Sequence, residues 1–164
     1  MKTVYLVRHA KSDWSDALLS DFDRPLNDRG KRDAPVMAQR LRDRKIKIDA
    51  FISSPAKRAR RTAVVFAEAY GVAKKDVILD RELYEAGEQE ILHVISETDN
   101  KLDRIAIFSH NPGLTDFANT LTSARIDNIP TCGIFAVSAD CKKWRDFSAA
   151  PKEFLFFDYP RSGQ

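Results

Sequence analysis

The sequence predicts a layered α/β domain with a mainly parallel sheet, and three observations carry that prediction. Short apolar, β-rich runs alternate with longer segments whose apolar residues recur at helical spacing. The first run is apolar without alternation, as in a strand covered on both faces. No Pro/Gly/Ser-rich linker, internal repeat or low-complexity tract divides the chain, so its 164 residues read as one domain, 1–164, around one core.

Thr3–Val7 reads as the first buried strand. Asp49–Ser53, ended by Ser54-Pro55, reads as the second, Asp76–Leu79 as a short third, and Arg104–Ser109 as the clear fourth. Gly133–Ser138 and Phe154–Phe157 supply two late strands with no long helix between them, which predicts antiparallel pairing. Asn27 is the predicted N-cap of a helix reaching about Lys45, with Ala34, Met37, Ala38 and Leu41 on one face and Pro35 expected to kink the helix or mark where it regularises. Ala56–Tyr70 forms the next helix, with Ala59, Ala63 and Phe66 inward and Gly71 at its end. Glu88–Ser96 and Gly113–Leu121 complete the helical set.

Composition excludes several classes. Apolar residues make up 43% and the net charge is +3, so a disordered chain is ruled out. No run approaches the ~18–20 apolar residues of a membrane span. The apolar stretch after Met1 meets Arg8 too soon for a secretory signal, which predicts a cytoplasmic location. Cys132 and Cys141 are too few for a disulfide framework or a cysteine-based zinc site. The charges are mixed along the chain, which argues against a nucleic-acid partner, and nothing resembles a coiled-coil seam or interface stripe, so the oligomeric state stays open.

In open α/β sheets, ligands bind beyond the carboxyl ends of the strands. There the two strongest strands each end in a histidine, His9 and His110. A lone histidine is most simply structural, but two at one end of a sheet offer a nucleophile and a charge clamp near neutral pH. Neither sits in an H-x-x-x-H or H-x-E metal pattern. His93 keeps an ordinary surface reading. Arg8 precedes His9, and Lys57-Arg58-Ala59-Arg60-Arg61 opens a helix where cations oppose the helix dipole. A bound anion would gain from both the dipole and the guanidinium groups. The plainer reading, a solvated basic face, fits Lys57, Arg60 and Arg61.

Three segments carry a resemblance. Leu6-Val7-Arg8-His9-Ala10-Lys11-Ser12 resembles the R-H-G/A signature of the histidine phosphatase superfamily. Ser53-Ser54-Pro55-Ala56-Lys57-Arg58-Ala59-Arg60-Arg61-Thr62 is similar to its S-S-P-x-x-R-A-x-x-T motif, and Ser109-His110-Asn111-Pro112 to its G-H-N-P motif, with serine where glycine is common. The short length, the stretch Asp23-Arg24-Pro25-Leu26-Asn27-Asp28-Arg29-Gly30, Pro130-Thr131 and Trp144 resemble the SixA-type phosphohistidine phosphatase branch. The resemblance implies a three-layer α/β/α sandwich of phosphoglycerate mutase-like fold and a metal-independent phosphatase with no cofactor. His9 would be the nucleophile, and Arg8, Arg58 and His110 would surround the phosphoryl oxygens, with His9 neutral and His110 protonated. Glu85 best matches the superfamily's acidic position, with Glu82 as the fallback; both also read as solvated carboxylates. Ser12 and Lys11 follow His9 closely enough to contact substrate. The implied partner is a phosphohistidine protein, with a small phosphorylated metabolite or a catalytically weak phosphate-binding module as the alternatives.

Overall fold

A computed structural model describes residues 1–161. Six strands, β1 (Lys2–Arg8), β2 (Ala50–Ser53), β3 (Ile78–Leu79), β4 (Arg104–Ser109), β5 (Ile134–Ala139) and β6 (Lys152–Asp158), form one sheet in the order β3-β2-β4-β1-β5-β6. The strands β3, β2, β4 and β1 run parallel, while β5 pairs antiparallel with β1 on one side and with β6 on the other, the antiparallel pairing expected of the two late strands. Four helices, α1 (Asp28–Asp43), α2 (Lys57–Ala69), α3 (Glu88–Ser96) and α4 (Gly113–Leu121), cover the two faces.

Alternation along the strands sorts the core into two halves. Tyr5, Val7, Phe51, Ala106 and Phe108 pack with α1 and α2, through Ala34, Met37, Leu41, Ala63 and Phe66. Val4, Leu6, Ile52, Ile105 and Ile107 pack on the other face with α3 and α4, through Ile91, Ile95, Leu114 and Phe117. Each fully buried aliphatic or aromatic side chain contributes ~1.5–3 kcal/mol, so the two apolar helix faces hold the three layers together.

Asn27 caps α1 as expected, its side chain accepting from the Gly30 N–H at 2.9 Å. The helix runs through Pro35 as one element and ends at Asp43. Gly71 closes α2 with φ 74°, the left-handed geometry that glycine adopts without strain. The third strand is shorter than expected. Lys74–Asp76 forms a 3-10 turn, leaving only Ile78 and Leu79 to pair at the sheet edge, where both are about half exposed. An edge strand has one neighbour, and two residues satisfy it.

Candidate active site

The register of three neighbouring parallel strands assembles the site. Arg8 on β1 lies opposite Ser109 on β4, and Ser53 on β2 lies opposite Phe108. The His9 N–H then bonds the Ser109 carbonyl at 3.2 Å, and the Ser54 N–H bonds the Phe108 carbonyl at 2.9 Å. His9, Ser54 and His110 therefore leave the sheet at one level. A cavity of about 200 Å³ opens above them, lined by Arg8, His9, Lys11, Ser12, Trp14, Arg24, Arg58, His110, Asn111 and Thr131. Four of these side chains carry permanent positive charge and none is acidic.

His9 is nine-tenths buried or more, and its Nδ1 sits 2.7 Å from the Ala10 carbonyl. A carbonyl only accepts, so Nδ1 carries the proton and the Nε2 lone pair is left bare. Thr62 fixes this arrangement from α2. Its hydroxyl accepts from the Ala10 N–H at 3.0 Å and donates to the Arg58 carbonyl at 2.8 Å. Gly30 fixes it from α1, because a Cβ there would run into the Lys11 carbonyl. The His110 ring lies 5.2 Å from that of His9, with its Nε2 2.8 Å from the Ser54 hydroxyl and the edge of Tyr84 against it.

The guanidinium groups are held from behind. Arg8 donates to the Ile129 carbonyl at 3.0 Å, on a loop that Asn111 and Thr115 tie to α4. Arg58 donates to the Asp21 carbonyl and, at 3.0 Å, to the Asp21 carboxylate, which also receives Arg24 at 3.0 Å and the Tyr84 hydroxyl at 2.7 Å. Arg24 donates to Ser12 Oγ at 2.6 Å, and its Cζ sits over the Trp14 ring, 3.4 Å from the centroid. Arg8 Nε, Arg58 Nε and His110 Nδ1 are buried without a partner. Buried polar groups are ordinarily paired, so three orphans around one cationic cavity describe a receptor for an anion.

These charges set the proton affinities. Burial lowers His9 to about 3, with the His110, Arg58 and Arg8 charges acting in the same direction. Burial, then Arg58, lowers His110 to about 4. The imidazolium expected at His110 is thus disfavoured, first by burial of the ring and then by the Arg58, Arg8 and Arg24 charges near it. An anion in the cavity would shift that balance toward protonation. Burial pushes the Asp21 carboxyl up, but the donors Tyr84, Arg24 and Arg58 outweigh it and hold it well below the usual carboxylate range.

A pH dependence of stability follows. In the unfolded chain both histidines titrate near 6.5, while in the fold they stay neutral to about 3 and about 4. The unfolded state takes up protons first as pH falls, so stability drops across that window, by about 3 kcal/mol or less for His110. Asp21 adds its own loss below the ordinary carboxylate range. Thermal unfolding midpoints measured from pH 7 down to about 4.5 should fall steeply in the native protein and less in a His9→Asn/His110→Asn variant; equal slopes would refute the assignment.

The cavity brings together Arg8, His9, Lys11, Ser12, Arg58 and His110 from the sequence-based set. Glu85 is outside that lining. It stands exposed at φ 56° on the turn after Tyr84, and Glu82 is engaged by His93 Nδ1 at 2.7 Å on the surface. Arg24, Asp21, Ser54, Tyr84 and Trp14 are additional contributors. Among the described residues no group of three or more His, Cys, Asp or Glu side chains gathers in a metal-binding set, and no helix is long and apolar enough to cross a membrane.

This cationic cavity of about 200 Å³ at the carboxyl edge of a parallel sheet, with two imidazoles 5.2 Å apart, belongs to a chain that matches a known family of proteins. Residues 4–123 match the family model of the histidine phosphatase superfamily (branch 1), and the chain belongs to that superfamily. It is a phosphatase with a phosphoglycerate mutase-like fold, and its likeness within the superfamily is to the SixA type. A SixA structure from Agrobacterium tumefaciens, whose assignment as a phosphohistidine phosphatase is provisional, superposes with TM-score 0.81 at 27% identity, covering 97% of this chain and 98% of that one. The protein histidine phosphatase SixA complexed with tungstate superposes with TM-score 0.77 at 21% identity, over 96% and 97% of the two chains. An uncharacterized protein of Mycobacterium tuberculosis (strain ATCC 25618 / H37Rv) is 30% identical over 165 residues, 94% of this chain and 100% of its own length.

Proposed function

We propose that the protein is a metal-independent phosphohistidine phosphatase that acts on a protein-borne phosphoryl group through a phosphohistidine intermediate on His9. The bare Nε2 of His9 attacks phosphorus as the P–N bond to the substrate imidazole breaks; the substrate ring, protonated from solvent on its other nitrogen, keeps the bonding electron pair and leaves as neutral imidazole. Water then attacks phosphorus, the P–Nε2 bond breaks with its electron pair returning to Nε2, and the water proton passes to phosphate or solvent, which releases inorganic phosphate and restores neutral His9. Arg8, Arg24 and Arg58, joined by His110 once the dianion has raised its proton affinity, balance the charge on the phosphoryl oxygens. Phosphoryl transfer is mainly positioning and charge stabilisation, which this cage supplies. Ser12 and Lys11 lie on the cavity wall beside the incoming phosphoryl group.

One observation favours phosphohistidine over phosphoester: no carboxyl lines the cavity, and Asp21, the carboxylate bound to Arg58, is held ionised. An alkoxide needs an acid to leave, whereas imidazole is the better leaving group. Glu85 would serve an ester only by turning inward from its exposed position. The cavity volume favours a protein substrate. At about 200 Å³ it lies below the ~300–1,000 Å³ of sites that engulf a small ligand, so it takes the phosphoryl group and leaves the carrier at the surface. Measured side by side, kcat/KM for a phosphohistidine peptide should exceed that for the matching phosphoserine peptide by about 100-fold or more, the scale set by a missing proton donor. Equal values, or a preference for the ester, would overturn the substrate assignment.

A further inference from the structure

The run Lys57-Arg58-Ala59-Arg60-Arg61 is only partly absorbed by the catalytic cavity. Arg58 turns into it, while Lys57, Arg60 and Arg61 are exposed on the opposite side. There they line a groove of about 320 Å³ together with Lys31 from α1, Lys74, and an apolar floor of Pro25, Leu26 and Val64. A second lobe of about 430 Å³ shares Arg60, Val64 and Lys74 and continues through Lys75, Val77 and Leu79 to the sheet edge. No acidic side chain lines either lobe. Among the described residues, none of these six cations forms an ion pair or a side-chain hydrogen bond.

The fold gains nothing from this arrangement. Lys57 stands against the positive end of the α2 dipole, and it faces like charges three and four positions on, at Arg60 and Arg61. The groove also shares a wall with the catalytic cavity. Arg24 and Arg58 face the phosphoryl site, while their neighbours Pro25, Leu26 and Lys57 face the groove. A surface touching both would place a phosphorylated side chain in one and an adjoining segment in the other.

We propose that this groove docks an acidic segment of the phosphorylated protein, with aliphatic side chains on the floor and carboxylates against the basic rim. The proposal rests on the protein-substrate reading above. Charge complementarity sets the sign of the partner. The aliphatic floor and the half-exposed Ile78 and Leu79 beside it suit a peptide. The lining holds no aromatic side chain on which nucleic-acid bases would stack.

The test is fluorescence anisotropy with the full chain and three labelled probes: a short Glu/Leu helical peptide, its Gln/Leu counterpart, and an oligothymidylate. Hydrolysis of p-nitrophenyl phosphate and of phosphoramidate is followed in parallel. The Glu/Leu peptide should bind about tenfold or more tightly than the Gln/Leu peptide, weaken with added salt, and lose that advantage in Arg60→Glu/Arg61→Glu/Lys74→Glu, while small-donor hydrolysis stays within about twofold. The neutral variant Arg60→Gln/Arg61→Gln/Lys74→Gln should show an intermediate loss, which separates charge from misfolding. Equal binding of the two peptides, tighter binding of the oligothymidylate, or full affinity in both variants would overturn the proposal. Because binding is read without turnover, docking in a protein that fails to hydrolyse phosphohistidine would sink the substrate reading and leave the acidic-segment site standing.

Discussion

His9→Ala abolishes turnover, by a factor of about 10⁴ or more, while inorganic phosphate still binds. The magnitude follows from removing the one group that forms a covalent bond to phosphorus, since loss of a nucleophile collapses catalysis to what the remaining charges supply. The retained binding follows from the geometry. Arg8 is held by the Ile129 carbonyl and Arg58 by Asp21, and neither depends on the His9 side chain. Phosphate affinity, read as competitive inhibition or by calorimetry, should change by less than about tenfold, because the cation cage is left intact. Undiminished hydrolysis in this variant would remove His9 from the chemistry.

Arg58→Ala costs about 10²–10³ in kcat/KM, the price of losing one charge-stabilising donor. The effect reaches beyond one charge. Arg58 and Arg24 share the Asp21 carboxylate, and Tyr84 donates to it as well. Without Arg58, Asp21 keeps its negative charge beside the cavity with one cation fewer to offset it, and the incoming dianion meets repulsion. Arg58→Lys should recover part of the rate only, because an ammonium keeps the charge but lacks the planar fork that reaches two oxygens of Asp21 and the substrate side together. Steady-state kinetics on a phosphohistidine peptide reads both variants, and wild-type values in Arg58→Ala would exclude the residue from the cage.

The parts of this site carried by strand ends were legible in the sequence. His9 and His110 each follow an apolar run, and parallel register alone brings such positions level. Arg58 was legible as a cation placed where its own helix gains nothing from it. Asp21, Arg24 and Trp14 were not, because they reach the cavity through the irregular segment between β1 and α1. Hydrophobic periodicity is silent there, and the path is fixed by one isolated bridge, Ser12 to Leu26, and by the Asp21 ion pairs. The stretch beginning at Asp23-Arg24-Pro25-Leu26 marked the segment as distinctive without saying which way Arg24 turns. The lowered proton affinity of His110 was not legible for a related reason: it depends on how deeply the ring is buried and on which arginines converge on it from distant segments. The third strand came out shorter because an edge position tolerates the turn at Lys74–Asp76.

The central claim is that phosphorus passes through a covalent bond to His9, and a trapping experiment addresses it directly. The protein is mixed with ³²P-labelled phosphohistidine protein, quenched in alkali, and the label located. The account predicts alkali-stable, acid-labile label on His9 that disappears in His9→Ala. Release of labelled phosphate with no label on His9 in rapidly quenched samples would contradict it, and would assign the hydrolysis to direct attack by water.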